Sequence, residues 1–422
     1  MKRTHHEWIF CMNGVKRIWK TIVFLGIVFT GVVPGVHGQE RDSLTDEPLR
    51  KFVHGVKIEG RPEYIFPTHS FLRGENPKNM VMREAYSFHA KYFFRYRPGS
   101  AADRTFGGVY QGIGIGFYTF RDPELLGDPV AFYLFQGARI ARLAPRLSFN
   151  YEWNLGLSAG WKPYDVYENP TNTIMGSKVN AYLNADFYLR WDVSPWIGLT
   201  AGLTFSHFSN GNTNIPNAGL NTIGGNFGLV CNFNPEKKSE RLERMTKFRD
   251  PVFRRYVSYD FVVFGSWRSQ MIKTSDGYSP SPESYAVFGF NFAPMYNLNR
   301  RLRLGVSLDG TFDAAANLYT EDYVYGLVDK SQILRPDLSD QFALGLSGRV
   351  EYVMPFFTVG IGMGANFIGK GDLNMFYQMF TLKIALSNTV FLHVGYNLKE
   401  FHDPNFLMLG VGFRFNNKSI VF

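Results

Sequence analysis

Bulky apolar residues alternate with small or polar ones along most of this chain. That period of two sends neighbouring side chains to opposite faces of a strand. Between 147 and 161 the odd positions read Leu147, Phe149, Tyr151, Trp153, Leu155, Leu157, Ala159 and Trp161. The even positions read Ser148, Asn150, Glu152, Asn154, Gly156, Ser158 and Gly160. Further on, Val359, Ile361, Met363, Ala365 and Phe367 alternate with Gly360, Gly362, Gly364 and Asn366. Strands with one greasy and one polar face build a barrel wall between lipid and a polar lumen. The pattern predicts about sixteen of them. Eight lie near 54–66, 85–97, 108–120, 129–143, 147–161, 178–193, 196–210 and 221–233, and eight near 254–268, 283–297, 301–313, 341–354, 356–368, 374–387, 389–399 and 405–417.

The connections between these segments alternate in length. Long ones follow odd-numbered strands, as at 68–82, 162–176, 212–219 and 315–340, while short ones follow even-numbered strands, as at 144–146, 193–195, 299–300 and Pro355. Outer-membrane barrels have short periplasmic turns and longer outer loops, so odd strands are expected to run outward. Two connections break the rule: 98–107, and a stretch of alternating charges after the eighth strand that includes Glu236, Lys237, Lys238, Glu240, Arg241, Glu243 and Arg244. The latter reads as a periplasmic linker between two halves. The ends of the halves are weakly alike, with a strand, a tight turn, another strand, an Asn and a Pro-Asn pair over 187–217 and again over 378–405. The expectation is an all-β outer-membrane protein of two eight-strand halves, with tandem barrels slightly favoured over one sixteen-stranded wall.

Composition agrees. Aromatics make up 17% of the chain and charged residues only 19%, yet no apolar run beyond residue 38 is long enough for a spanning helix. The start of the chain has a different logic. Lys16, Arg17 and Lys20 precede an apolar run over 21–33, and Val36-His37-Gly38 places small residues at −3 and −1 of a cleavage point before Gln39. That is the layout of a secretory signal peptide. Met12 is a plausible true start, which would leave Cys231 as the single cysteine of the exported chain and exclude a disulfide framework. The net charge of +9 falls once the basic leader is removed. Basic loop residues can meet lipopolysaccharide phosphates, although solvated loops look the same. No nucleic-acid motif is present, and no His/Cys/Asp group has metal-ligand spacing.

One cluster carries chemistry. On the seventh strand His207 and Ser209 end the apolar column Ile197, Leu199, Ala201, Leu203 and Phe205. Asn221 heads the matching apolar column of the eighth strand, Ile223, Gly225, Phe227 and Leu229. The hairpin loop between them can bring three polar groups together on the lipid-facing side. Polar groups facing lipid are costly near the midplane and commonplace near the interface, so location alone does not decide their role. At i and i+2 on a strand, a His nitrogen can accept the Ser proton, and a third polar group holding the ring completes an activated nucleophile.

His207-Phe208-Ser209-Asn210, then Pro216-Asn217, Gly219-Leu220 and Asn221, resemble the signature of the PagL-type lipid A 3-O-deacylases, or acyloxyacyl hydrolases. Those are eight-stranded outer-membrane barrels, and the resemblance runs from about 54 to 233. It implies Ser209 as nucleophile, His207 as general base, and Asn210 with the Gly211 amide at the oxyanion hole. The departure is Asn221, where the family has Glu. An Asn can orient the ring but cannot neutralise the imidazolium, so a slower enzyme is expected. Asp186 is a poor substitute because its parity points it into the lumen. In the second half, neither aligning Asn397 with Asn210 nor aligning His393 with His207 retains both His and Ser. The division expected is a signal peptide (1–38), a PagL-like barrel with the site (39–233), a charged periplasmic linker (234–252) and a second, non-catalytic barrel half (253–422). The function implied is a serine esterase removing a 3-O acyl chain from lipid A of lipopolysaccharide, without a cofactor. The alternatives are a channel or structural barrel, and an outer-membrane phospholipase.

Overall fold

The computed structural model describes residues 52–235 and 252–418, except Asp322 and His402. The expected signal peptide and most of the charged linker lie outside the described residues, as does Phe422, which resembles the terminal aromatic of outer-membrane barrels. The first barrel is built from β1 (Phe52–Ile65), β2 (Glu84–Tyr96), β3 (Tyr110–Thr119), β4 (Gly127–Ala144), β5 (Leu147–Trp161), β6 (Val179–Asp192), β7 (Ile197–Ser209) and β8 (Leu220–Asn232). All neighbours are antiparallel, and β8 pairs back onto β1 to close the wall. Then come β9 (Tyr256–Arg268) and a small hairpin, β10 (Met271–Thr274) with β11 (Gly277–Pro280). The second barrel continues through β12 (Tyr285–Asn297), β13 (Leu302–Asp313), β14 (Phe342–Val353), β15 (Phe357–Ile368), β16 (Phe376–Ala385), β17 (Val390–Lys399) and β18 (Asp403–Phe415), which closes onto β9. The halves therefore close separately, as two eight-stranded barrels.

Sixteen wall strands match the sixteen expected segments, with ends displaced by two residues or so. Two short elements were not anticipated. The hairpin β10–β11 lies in a loop, and helix α1 (Ala101–Phe106) occupies the exceptional 98–107 connection, its start capped by Ser100 Oγ, which accepts the Asp103 N–H at 3.2 Å. Neither is long enough to display a period in sequence. No described helix is long and apolar enough to cross a membrane.

The inward residues show why these barrels are solid. In the first, Lys57, Glu59, Arg61, Lys91, Glu152 and Asp186 all face the lumen and are almost wholly buried. Arg61 Nη2 bridges Glu59 at 2.9 Å and Asp186 at 2.7 Å, while Lys91 reaches Glu59 at 2.6 Å and also pairs with Glu152. Charges removed from water persist only when paired in this way. Tyr118, Tyr133, Tyr182 and Tyr188 fill much of the remaining space, as an interior only wide enough for side chains requires. The second barrel repeats the device with Asp260 held by Lys383 at 2.7 Å and Arg414 at 2.6 Å. Outward positions instead expose Phe88, Phe132, Leu157, Leu203 and Phe227, an apolar surface suited to lipid.

At the long-loop end of the first barrel, Phe71, Leu72, Leu126, Ile174 and Met175 pack with Phe120, Trp161, Phe208 and Leu220 into a buried cap. The 162–178 connection is thus pinned over the barrel mouth, beside the β7–β8 loop. The two barrels also touch: Gln136 Nε2 donates to the Pro355 carbonyl at 3.0 Å, and the Trp153 and Phe357 rings meet edge to face at 5.2 Å.

Candidate active site

Alternation along β7 sends His207 and Ser209 outward and Phe208 inward. Phe208 has no exposed surface and packs its ring against Tyr118 and Trp161, both at 5.0 Å, so the strand is anchored from inside just where its neighbours face out. Across the wall His207 lies directly opposite Asn221 on β8 and Leu183 on β6. The three polar side chains meet as the sequence implied. His207 Nδ1 lies 2.7 Å from Asn221 Oδ1, and Nε2 lies 3.0 Å from Ser209 Oγ. An amide oxygen only accepts, so this contact puts the ring proton on Nδ1 and leaves Nε2 free to accept from the serine hydroxyl. All three residues are half-buried. The chain Asn–His–Ser has the connectivity of a base-activated nucleophile with an oriented base.

The loop 210–219 closes over this group. Asn210, expected at the oxyanion hole, donates its N–H to Asn217 Oδ1 at 2.9 Å and one Nδ2 proton to the Asn214 carbonyl at 2.8 Å, which leaves the second Nδ2 proton for a ligand. Those two bonds shape the loop. Gly211 offers a backbone donor. It is buried, its φ of 65° lies in the left-handed region, and its N–H has no acceptor among the described residues. A buried amide without a partner is unusual and marks it as a donor available to a ligand.

Gly219 belonged to the motif, but its physical task was not legible in sequence. A Cβ there would lie 3.2 Å from His207 Cε1, so glycine lets the loop lie against the ring. Its N–H donates to the Ile174 carbonyl at 3.2 Å, and Ala218 N–H to the Thr173 carbonyl at 3.3 Å, tying the loop to the buried cap. Asp186 is buried in the lumen on Arg61, as its parity implied. Glu63 also faces inward, accepting from Ser206 Oγ at 3.3 Å and from Thr222. Among the described residues no carboxylate bonds the imidazole of His207. Glu59, Glu152 and Asp186 present oxygens within 4.8 Å of one another, the spacing of a metal cage. Lys57, Arg61 and Lys91 already neutralise them, so they form an ion network.

In the second barrel, His393 and Asn397 face the lumen of β17 and are buried. The outward face there reads Leu392, Val394, Tyr396 and Leu398.

Residues 86–230 match the family model for lipid A 3-O-deacylase (PagL). Residues 257–417 match the model for the acyloxyacyl hydrolase C-terminal domain, so the likeness extends past residue 233, where the motif-based resemblance stopped. No curated protein matches the chain. Among solved structures, Neisserial surface protein A is 10% identical, with 43% of this chain and 96% of that one covered at a TM-score of 0.26. Outer membrane phospholipase A from Escherichia coli is 10% identical over 86% of this chain and 92% of that one, with a TM-score of 0.16. The Acinetobacter baumannii outer membrane protein Omp33 is 9% identical over 86% and 98%, also at 0.16.

Proposed function

We propose, from the premise that the chain belongs to the PagL family of lipid A 3-O-deacylases, that it is an outer-membrane serine esterase cutting the 3-O acyl ester of lipid A. The observation that carries this reading is the Asn221–His207–Ser209 chain on the outward face of β7 and β8, at 2.7 and 3.0 Å. An esterase for a membrane lipid needs its nucleophile on the lipid side, at the height of the ester, and the long-loop end corresponds to the outer leaflet.

In the mechanism, Ser209 Oγ attacks the ester carbonyl while His207 Nε2 takes its proton. The carbonyl oxygen becomes an oxyanion, stabilised by the Gly211 N–H. Collapse expels the sugar 3-hydroxyl, which receives the proton from His207 Nε2. Water, deprotonated by the same nitrogen, then releases the fatty acid and restores Ser209. Asn221 keeps the ring in the useful tautomer throughout. It supplies no negative charge to the imidazolium, so turnover slower than with a carboxylate partner is expected.

Two observations weigh against a conduit: the first lumen is filled by paired charges and tyrosines, and the second by Asp260, Lys383, Arg414 and Glu351. The second barrel is read as non-catalytic, because no His–Ser pair stands on the outward face of its seventh strand.

The test is mass spectrometry of lipid A from outer membranes carrying the wild-type chain or Ser209→Ala. Loss of one hydroxyacyl mass with the wild type alone is expected. An intact lipid A with a folded wild type sinks the reading, and loss of fatty acid from phospholipids instead would move it to a phospholipase.

A further inference from the structure

The second barrel reaches into the active-site loop of the first. Asn212 Nδ2 donates to the Pro404 carbonyl at 2.8 Å, and the Ser269 N–H donates to the Asn212 carbonyl at 2.8 Å. The Thr213 carbonyl accepts from Ser284 Oγ at 2.7 Å and from Ser269 Oγ at 3.4 Å. Leu407 of β18 lies against Gly211 so closely that a Cβ on that glycine would fall 2.8 Å from Leu407 Cγ. Every one of these contacts falls on residues 211–213, directly after the nucleophile strand.

That segment needs holding. Gly211 and Asn212 are consecutive residues in the left-handed region, at φ 65° and 63°, which glycine adopts freely and asparagine more readily than other side chains, so the contacts around the turn decide how firmly it is held. The first barrel holds one side of the turn: Asn217 Nδ2 donates to Asn212 Oδ1 at 3.1 Å, and Thr213 donates its Oγ1–H and N–H to the Asn210 carbonyl at 2.9 and 3.4 Å. The outer side of the turn is gripped by β18 and by the segments that follow β9 and precede β12.

We infer that the second barrel is a positioning partner for catalysis, whose Leu407, Ser269 and Ser284 hold residues 211–213 so that the Gly211 N–H is kept for the oxyanion. The inference rests on the esterase reading and gives the otherwise site-free half a task. A donor that must be preorganised loses its value when its backbone wanders, because the cost of ordering it returns at the transition state. The grip acts on the transition state, so loosening it lowers kcat and leaves KM nearly unchanged.

The test uses the full chain in detergent micelles, wild type beside the triple variant Ser269→Ala, Ser284→Ala, Leu407→Ala, with Leu407→Met as the conservative control and Ser209→Ala as the activity blank. Amide hydrogen exchange at 211–213 is measured together with kcat and KM on purified lipopolysaccharide. Expected are faster exchange in the triple variant, a kcat lower by about tenfold at constant KM, and near wild-type values for Leu407→Met. Unchanged exchange overturns the grip. Faster exchange with unchanged kcat overturns its catalytic consequence, and a raised KM at constant kcat assigns the second barrel to substrate binding instead. If the wild type shows no Ser209-dependent cleavage, the esterase reading itself fails and the catalytic role falls with it, while the exchange data still decide the contact.

Discussion

On the seventh strand of the first barrel, His207 faces outward with both ring nitrogens engaged, by Asn221 and Ser209. On the seventh strand of the second, β17, His393 faces the lumen, and neither of its nitrogens is bonded among the described residues. The strands occupy the same place in their barrels, although the β17–β18 ladder carries a register shift at Asn397/Leu398 that β7–β8 lacks. They differ in parity, and a shift of one position moves a side chain from one face of the wall to the other. On the proposed reading the imidazole beside a hydroxyl on the outward face is the base, whereas the ring in the second lumen only fills space. The loops differ as well. Residues 210–219 leave room for a folded turn with a spare amide, while β17 passes to β18 through residues 400–402 alone.

The comparison can be broken by substitution. The largest effect is expected from Ser209→Ala, which should cut kcat/KM by about 10⁴-fold or more without altering the heat-modifiable gel mobility of the folded barrel. Substantial residual turnover would mean that the outward His–Ser pair is not the site. Next, Arg61→Ala takes from Asp186 its 2.7 Å partner and leaves it only Lys91 at 3.7 Å, and should lower stability by about 3–5 kcal/mol, read from urea unfolding followed by tryptophan fluorescence. A negligible change would deny the ion network its structural role.

Asn221→Ala should reduce kcat by about a hundredfold, since the ring loses its tautomer and orientation. Asn221→Glu should move in the opposite direction and exceed the wild type, because a carboxylate offsets the imidazolium. A glutamate variant no faster than the wild type would show that another group already supplies that charge. The smallest effect is expected at the second histidine. His393→Leu replaces a ring with two unbonded nitrogens by an apolar group of similar size, so stability should stay within about 1 kcal/mol and deacylation should be unchanged. A marked loss of deacylation there would give the second lumen a part that its parity denies it.

Much of this molecule is legible in the chain alone. Period-two alternation located the wall strands, because a two-faced wall leaves a two-residue imprint on sequence. The same parity put His207, Ser209 and Asn221 on one face and Asp186 on the other, before any distance was known. Separate closure was less legible: β8 returns to β1 through pairs such as Ile58 with Leu229, a contact between distant segments that no local pattern encodes. The tertiary structure alone decided that lumen charges pair across strands, that Asn210 bonds Asn214 and Asn217 inside the loop while the Gly211 N–H meets no acceptor there, that Gly219 admits the ring, and that Leu407 of the second barrel presses on that loop. These depend on where separate strands are brought together in space, and alternation specifies which face a residue takes but not which partner it meets there.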